Sequence, residues 1–318
     1  MTSTQYDIFS SIPDRVSIYE VAPRDGLQNE GATVALRGKV RLVDALMSAG
    51  LKRIEITSFV SPQWIPQLAD ADDLCDMVLA SRATTAGADD VRLSALCPNA
   101  KGLERAKRAR IDEIAVFMSA SETHNRKNIN KTIDATLAAF EETIAPARGA
   151  GMRVRGYVST VWGCPYEGAI DASRAIAIAK KLFEMGCYQI SLGDTIGVGT
   201  PRQTRDIVRR AQDALPIDAI AMHMHDTRGT ALANVLVGLE MGIRNFDSSV
   251  GGMGGCPYAP GAAGNVATED LVYMLTGMGV ETGVDLERLV EAAKVAGSIV
   301  GRSLPGKVHQ AGIRSLRA

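Results

Sequence analysis

The chain carries no excess of charge: 35 Lys and Arg stand against 36 Asp and Glu in 318 residues, a formal net charge of −1. Without a surplus of either sign, no global field draws it to nucleic acid or to a membrane surface, and an anionic ligand must be held by a local site. Paired cysteine spacing is missing too. Cys75, Cys97, Cys164, Cys187 and Cys256 are an odd number with no C-x-x-C, which argues against a disulfide framework and reads as reduced thiols in a cytoplasmic protein. No apolar run approaches the roughly 20 residues of a membrane span. The opening MTSTQYDIFSSIPDR has neither the basic flank and apolar run of a secretory signal nor the Arg-rich, acid-poor character of a transit peptide. A G-x-G-x-x-G loop running into a helix, which would cradle a dinucleotide, is also absent.

What is present is alternation. Short β-rich apolar runs at Val16–Val21, Arg53–Thr57, Val91–Leu96, Glu113–Met118, Arg153–Ser159, Tyr188–Leu192, Ile220–His225 and Asn245–Val250 are separated by amphipathic stretches such as Arg37–Ala49, Thr132–Arg148, Ser173–Met185, Arg202–Ala214 and Thr230–Met241. Gly50, Gly151, Gly186 and Gly242 follow helical patterns where a C-cap needs a glycine. Strand then helix, eight times, predicts an α/β fold of the (β/α)8 TIM-barrel type with right-handed crossovers. The barrel is expected over about residues 14–280, with a helical extension over about 281–318, in one domain of 318 residues.

Chemistry in such a barrel sits at the C-terminal ends of the strands. Five of the eight expected strands bring reactive residue types there: Arg24-Asp25, Glu55, Asp194, His223 with His225, and the glycine-rich Gly251–Cys256. His223 and His225 are two apart on a strand and therefore share a face, with Met222 and Met224 on the other. A satisfied pair of core histidines is the plain alternative; the nearby aspartate favours a divalent metal. Arg24-Asp25-Gly26 reads equally as a turn or as a fixed cation beside an oxygen ligand. The glycines around Cys256 favour a loop that must bend or move, carrying a thiol over a substrate. Asn265, at the edge of the following helix, can supply an amide oxygen. Arg126, Lys127 and Lys131, placed near a helix N-terminus, suit an anionic group as well as they suit a solvated face.

The motifs EVAPRDGLQNE, IEITSFVSP, RKNIN, GCPYEG, SLGDTIGVGTP, HMHDT and GGMGGCPYAPGAAGNVATEDLVYML stand in that order from Glu20 to Leu275. Together they resemble the 3-hydroxy-3-methylglutaryl-CoA lyases, within the superfamily of metal-dependent barrel lyases and Claisen-type synthases. That resemblance implies a Mg2+ or Mn2+ ion held by Asp25, His223, His225 and Asn265. It implies catalytic roles for Arg24, Asp25, Glu55, Asp194, His223 and Cys256, and substrate contacts from Arg24, Gln28, Arg126, Lys127 and Asn128. The implied reaction is a retro-Claisen cleavage giving acetyl-CoA and acetoacetate, as in leucine breakdown. The expected partner is an acyl-CoA; a homodimer is left open. The rival readings are a lyase for citramalyl-CoA or another 3-hydroxy-3-alkylglutaryl-CoA, an isopropylmalate-synthase-like condensing enzyme, and a catalytically silent barrel. Thr160-Val161-Trp162 and Arg228-Gly229-Thr230 depart from the family pattern and put the acyl group in question.

Overall fold

Eight parallel strands close on themselves in sequence order in the computed structural model, which describes residues 12–28, 30–254 and 264–313. In chain order the elements are β1 (Ser17–Glu20), α1 (Leu36–Ser48), β2 (Arg53–Ser58), α2 (Ala71–Arg82), β3 (Arg92–Leu96), α3 (Ala100–Arg108), β4 (Glu113–Ser119), α4 (Glu122–Ile129), α5 (Ile133–Gly149), β5 (Arg153–Ser159), α6 (Ala172–Glu184), β6 (Gln189–Asp194), α7 (Pro201–Ala214), β7 (Ile220–Met224), α8 (Ala231–Glu240), β8 (Asn245–Ser248), α9 (Thr268–Gly277), α10 (Leu286–Val300) and α11 (Val308–Ala311). Strand β8 returns to β1 with Tyr19 opposite Asp247. This is the (β/α)8 barrel that the alternation predicts, with each strand where its apolar run stands.

Local chemistry explains most boundaries. Asn99, Ser121, Thr132, Asp171 and Asp285 cap the helices they precede, each side chain accepting a first-turn backbone N–H. After α1, α5, α6 and α8 the expected glycines sit at φ of 93°, 78°, 110° and 83°, conformations that L side chains disfavour. The apolar core lies between the barrel wall and its helices; Met222 is fully buried there and packs close against Gly238 of α8.

Inside the barrel, alternate residues point to the axis. A polar middle layer contains Tyr19, Ser94, Arg155, Ser191 and Asp247, all buried. It is fully bonded: Arg155 gives Nε to Gln189 (2.9 Å) and its two terminal nitrogens to Asp247 (3.1 and 2.6 Å), and Ser191 donates to Asp247 (2.7 Å). This layer is the floor on which the mouth residues stand. Beyond the barrel, α10 packs on α1, and Leu304 and Pro305 cover Gly251 and Gly252 at the start of the glycine-rich loop.

Candidate metal centre and active site

The end of β1 supplies two charged residues through an unusual backbone turn. Residues Ala22–Gly26 form a wide π-type turn in which the Val21 carbonyl accepts the N–H groups of Arg24 (3.1 Å), Asp25 (2.8 Å) and Gly26 (3.2 Å). Turns of this kind recur at functional sites because they re-aim side chains. Only glycine fits at position 26, where an added Cβ would lie 2.9 Å from both Met253 Cβ and Ser249 Oγ. The Arg24 guanidinium is thereby held between two carboxylates, with Nε on Glu55 Oε2 at 2.5 Å and Nη1 on Asp25 Oδ1 at 2.6 Å. Burial disfavours its charge, but Glu55 and Asp25 hold it far above the ordinary arginine range, so it is a permanent cation. Burial pushes Glu55 up, against the pull of Arg24. Asp25 feels the same burial, but Arg24 and the two histidines bring it down to about 2.

Opposite this turn, β7 and the residue that follows it, His225, deliver the two histidines. Their Nε2 atoms lie 3.3 Å apart, and Asp25 Oδ2 is 3.9 Å from His223 Nε2. One ligand atom from each of Asp25, His223 and His225 falls within 4.8 Å of the others, close enough for one ion. Burial, with His223 beside it, pushes His225 down to about 3, so its ring is neutral and has a lone pair to give at working pH. Asp247 Oδ2 sits 3.2 Å from His223 Nδ1. A proton held there leaves Nε2 bare and facing the cluster, the arrangement by which carboxylates orient metal-binding imidazoles. Asn265 is bridged through its backbone to His225, and its amide nitrogen donates to Asp25 Oδ2 (2.8 Å) and to the Met253 carbonyl (3.1 Å). The His225 Nδ1 is buried with no hydrogen-bond partner among the described residues. A carboxylate oxygen and two imidazole nitrogens, with no thiolate among the described residues, fit a divalent cation.

The other expected residues divide. Glu55 belongs to the cluster through Arg24. Gln28 stands half-buried at the end of the same turn, its Oε1 buried and unpartnered among the described residues. Asp194 is buried at the same rim, but its two oxygens accept the backbone N–H groups of Val198 (3.0 Å) and Gly199 (2.8 Å). Burial raises it while those amides oppose the rise. Arg126, Lys127 and Asn128 are exposed in the last turn of α4, not at a helix N-terminus. Arg126 pairs with Glu122, and the Lys127 ammonium lies over the Tyr166 ring. Only Lys131 precedes a helix start, beside the Thr132 cap of α5. Cys256 lies outside the described residues. Gly254, two positions before it, is wedged so closely that an added Cβ would be 2.6 Å from Asn265 Nδ2 and 3.3 Å from the Asp25 carbonyl oxygen.

Several participants escape a reading by motif. Asp247 and Arg155 sit on strands whose inward positions carry charge, a signal visible only once those positions are known to converge. Glu20 is another: it accepts the N–H groups of Ala22 and Val250 and the Thr268 hydroxyl, tying β1, the glycine-rich turn and α9 together. The departures from the family pattern prove to be braces. Arg228 donates to the carbonyls of Ile196 and Gly197, and the buried Trp162 indole donates to Thr204.

Comparison with known proteins agrees with this geometry. The HMGL-like family profile matches residues 15–296. A mitochondrial hydroxymethylglutaryl-CoA lyase of Rattus norvegicus is 50% identical over 301 residues, covering 95% of this chain and 90% of that protein. The crystal structure of hydroxymethylglutaryl-CoA lyase from Pseudomonas aeruginosa superposes with a TM-score of 0.90 at 45% identity, covering 95% of this chain and 98% of the other. An HMG-CoA lyase from Acinetobacter baumannii, solved in complex with coenzyme A and 3-methylmalate, gives 0.88 at 36% identity, covering 96% and 97%. With the match running across all eight strands and the paired histidines where the motifs require them, the chain belongs to the HMGL-like family.

Proposed function

We propose that the protein is a divalent-metal-dependent carbon–carbon lyase that cleaves 3-hydroxy-3-methylglutaryl-CoA to acetyl-CoA and acetoacetate. The observation that carries this reading is the joining of Asp25, His223 and His225 to the Arg24–Glu55 pair at the barrel mouth. Asp25, His223, His225 and Asn265 are the residues that would hold Mg2+ or Mn2+; Asn265 would present its oxygen after a half-turn of its amide. When bound, the ion supplies positive charge that acidifies a substrate hydroxyl and fixes its orientation.

The chain's own residues supply the rest. Loss of the tertiary hydroxyl proton lets the alkoxide collapse to a ketone, and the electron pair of the adjacent carbon–carbon bond passes into the thioester as an enolate. Arg24, charged at every working pH and held in place by Glu55 and Asp25, stabilises the enolate oxygen without having to reorganise. Cys256 gives its proton to the enolate carbon, and the proton given up by the hydroxyl restores the thiol; the packing of Gly254 against Asn265 supports a loop that starts at the metal centre. Asp194 shapes the β6 rim by holding the backbone of Val198 and Gly199, a positioning role. Gln28 lines the pocket, and Arg126, Lys127 and Asn128 are outer contacts for the CoA moiety.

No helix among the described residues is long and apolar enough to cross a membrane. The four described cysteines are buried and free, which supports a reducing, cytoplasmic setting. Purified protein given 3-hydroxy-3-methylglutaryl-CoA is expected to release acetyl-CoA with Mg2+ and not after chelation. Turnover of citramalyl-CoA alone would keep the mechanism and overturn the substrate.

A further inference from the structure

Tyr157 lies on the inner face of β5, one inward position nearer the mouth than Arg155, and is 5% exposed. Its ring stands edge-on to His223, with centroids 6.2 Å apart at 85°, and the Arg24 guanidinium carbon is 5.5 Å from the ring centre. Leu96, Ala115 and Phe117 pack around it, so a phenylalanine would suit those neighbours equally well. Yet its hydroxyl is buried with no hydrogen-bond partner among the described residues, as is Glu55 Oε1. The other phenols of the barrel interior behave differently: Tyr19 donates to Ser94 (2.6 Å) and Tyr188 to Glu113 (2.7 Å). A buried polar group without a partner lowers stability and calls for a reason. A phenol O–H is a hydrogen-bond donor, and this one has nothing to donate to among the described residues.

We infer that Tyr157 is a further catalytic residue, whose hydroxyl donates a hydrogen bond to the acyl oxygen that Arg24 also faces, the oxygen that gains charge as the carbon–carbon bond breaks. This rests on the lyase reading above. Glu55 and Asp25 occupy Nε and Nη1 of Arg24, which leaves Nη2, the phenol and the Thr57 hydroxyl as donors without a partner among the described residues on that side of the mouth; of the two hydroxyls only the phenol belongs to a ring that stands against both Arg24 and His223. Because the charge develops on the way to the transition state, the contribution falls on turnover more than on substrate binding.

The test is Tyr157→Phe in the full chain with Mg2+, read four ways: kcat, KM, thermal midpoint, and exchange of the acetyl-CoA methyl protons into D2O. Expected are a loss in kcat of about a hundredfold, the size typical for one oxyanion donor, a comparable slowing of exchange, a KM changed only a few-fold, and a midpoint equal to or above wild type. Mn2+ binding followed by electron paramagnetic resonance, equal to wild type, verifies that the site is intact. A kcat within twofold of wild type overturns the assignment. So does a fall in midpoint with turnover retained, the signature of a hydroxyl that merely holds a buried water. If the wild type cleaves no acyl-CoA, the lyase reading falls and this inference with it; a working wild type beside an equally fast variant removes Tyr157 alone.

Discussion

Two arginines are buried in the same barrel, only a layer apart, and they are bonded in opposite ways. Arg155 in the middle layer is saturated by Asp247 and Gln189 and packs against the rings of Tyr19 and Tyr157. Arg24 at the mouth is held by Glu55 and Asp25, but its surroundings keep unpartnered atoms among the described residues: Glu55 Oε1, Thr57 Oγ1, Tyr157 Oη, Gln28 Oε1 and His225 Nδ1. Folding free energy explains the first arrangement and not the second, since each buried unpaired group costs about 1–3 kcal/mol. The middle layer is a strut. The mouth is arranged for something that completes it, since there the unpartnered atoms gather around a buried cation and the Asp25–His223–His225 cluster.

The contrast can be broken at each end. Arg155→Met strands Asp247, which burial would raise but which Arg155 pulls far below the usual carboxylate range. Urea denaturation is expected to show a loss of about 3–5 kcal/mol, the cost of leaving one buried charge unpaired. Arg24→Met should invert the pattern, with turnover down by about 10²–10³ and a smaller loss of stability, since Glu55 can take up a proton when its partner is gone. If the two variants lose stability equally, strut and mouth are not distinct.

Metal addition sharpens the comparison at the mouth alone. At a hundred times the dissociation constant an ion stabilises the folded state by about 2.7 kcal/mol. Calorimetry with and without Mn2+ should show that gain in wild type and none in His225→Ala; an unchanged gain in the variant would remove His225 from the ligand set. The smallest effect belongs to the outer rim. Burial would raise Glu167, but the Thr123 backbone, the hydroxyls of Ser121 and Thr123, and Arg174 bring it from 4.5 down to about 2. A carboxylate lowered on folding adds stability that is full above its unfolded value and is lost as pH falls through the folded one. Acid titration of Glu167→Gln should therefore lack a modest part of the stability loss between pH 4.5 and 2 that wild type shows.

Much of this was legible in the residues themselves. Alternation of apolar runs gave the eight strands, glycines after helices gave their ends, and a two-residue spacing put His223 and His225 on one face. The missing parts share a cause. Asp247 and Arg155 meet across the barrel from β8 and β5, 92 positions apart, and nothing local in either strand announces the encounter. Glu20 is equally opaque, because its partners come from the turn after β1, the turn after β8 and the start of α9. The place of Arg126 and Lys127 is likewise not local: they stand in the last turn of α4 and not at a helix N-terminus, which the charge pattern alone does not tell. Asp194 has the right residue type at the right rim, but only its two amide partners reveal that it holds a loop.

On the proposed function, this mouth becomes a lyase when one divalent ion joins Asp25, His223 and His225. The most direct measurement follows acetyl-CoA release from 3-hydroxy-3-methylglutaryl-CoA while metal-stripped protein is titrated with Mn2+. Turnover that rises from near zero and saturates at one ion per chain is the predicted result. Turnover that is absent throughout, or indifferent to the ion, would contradict the account.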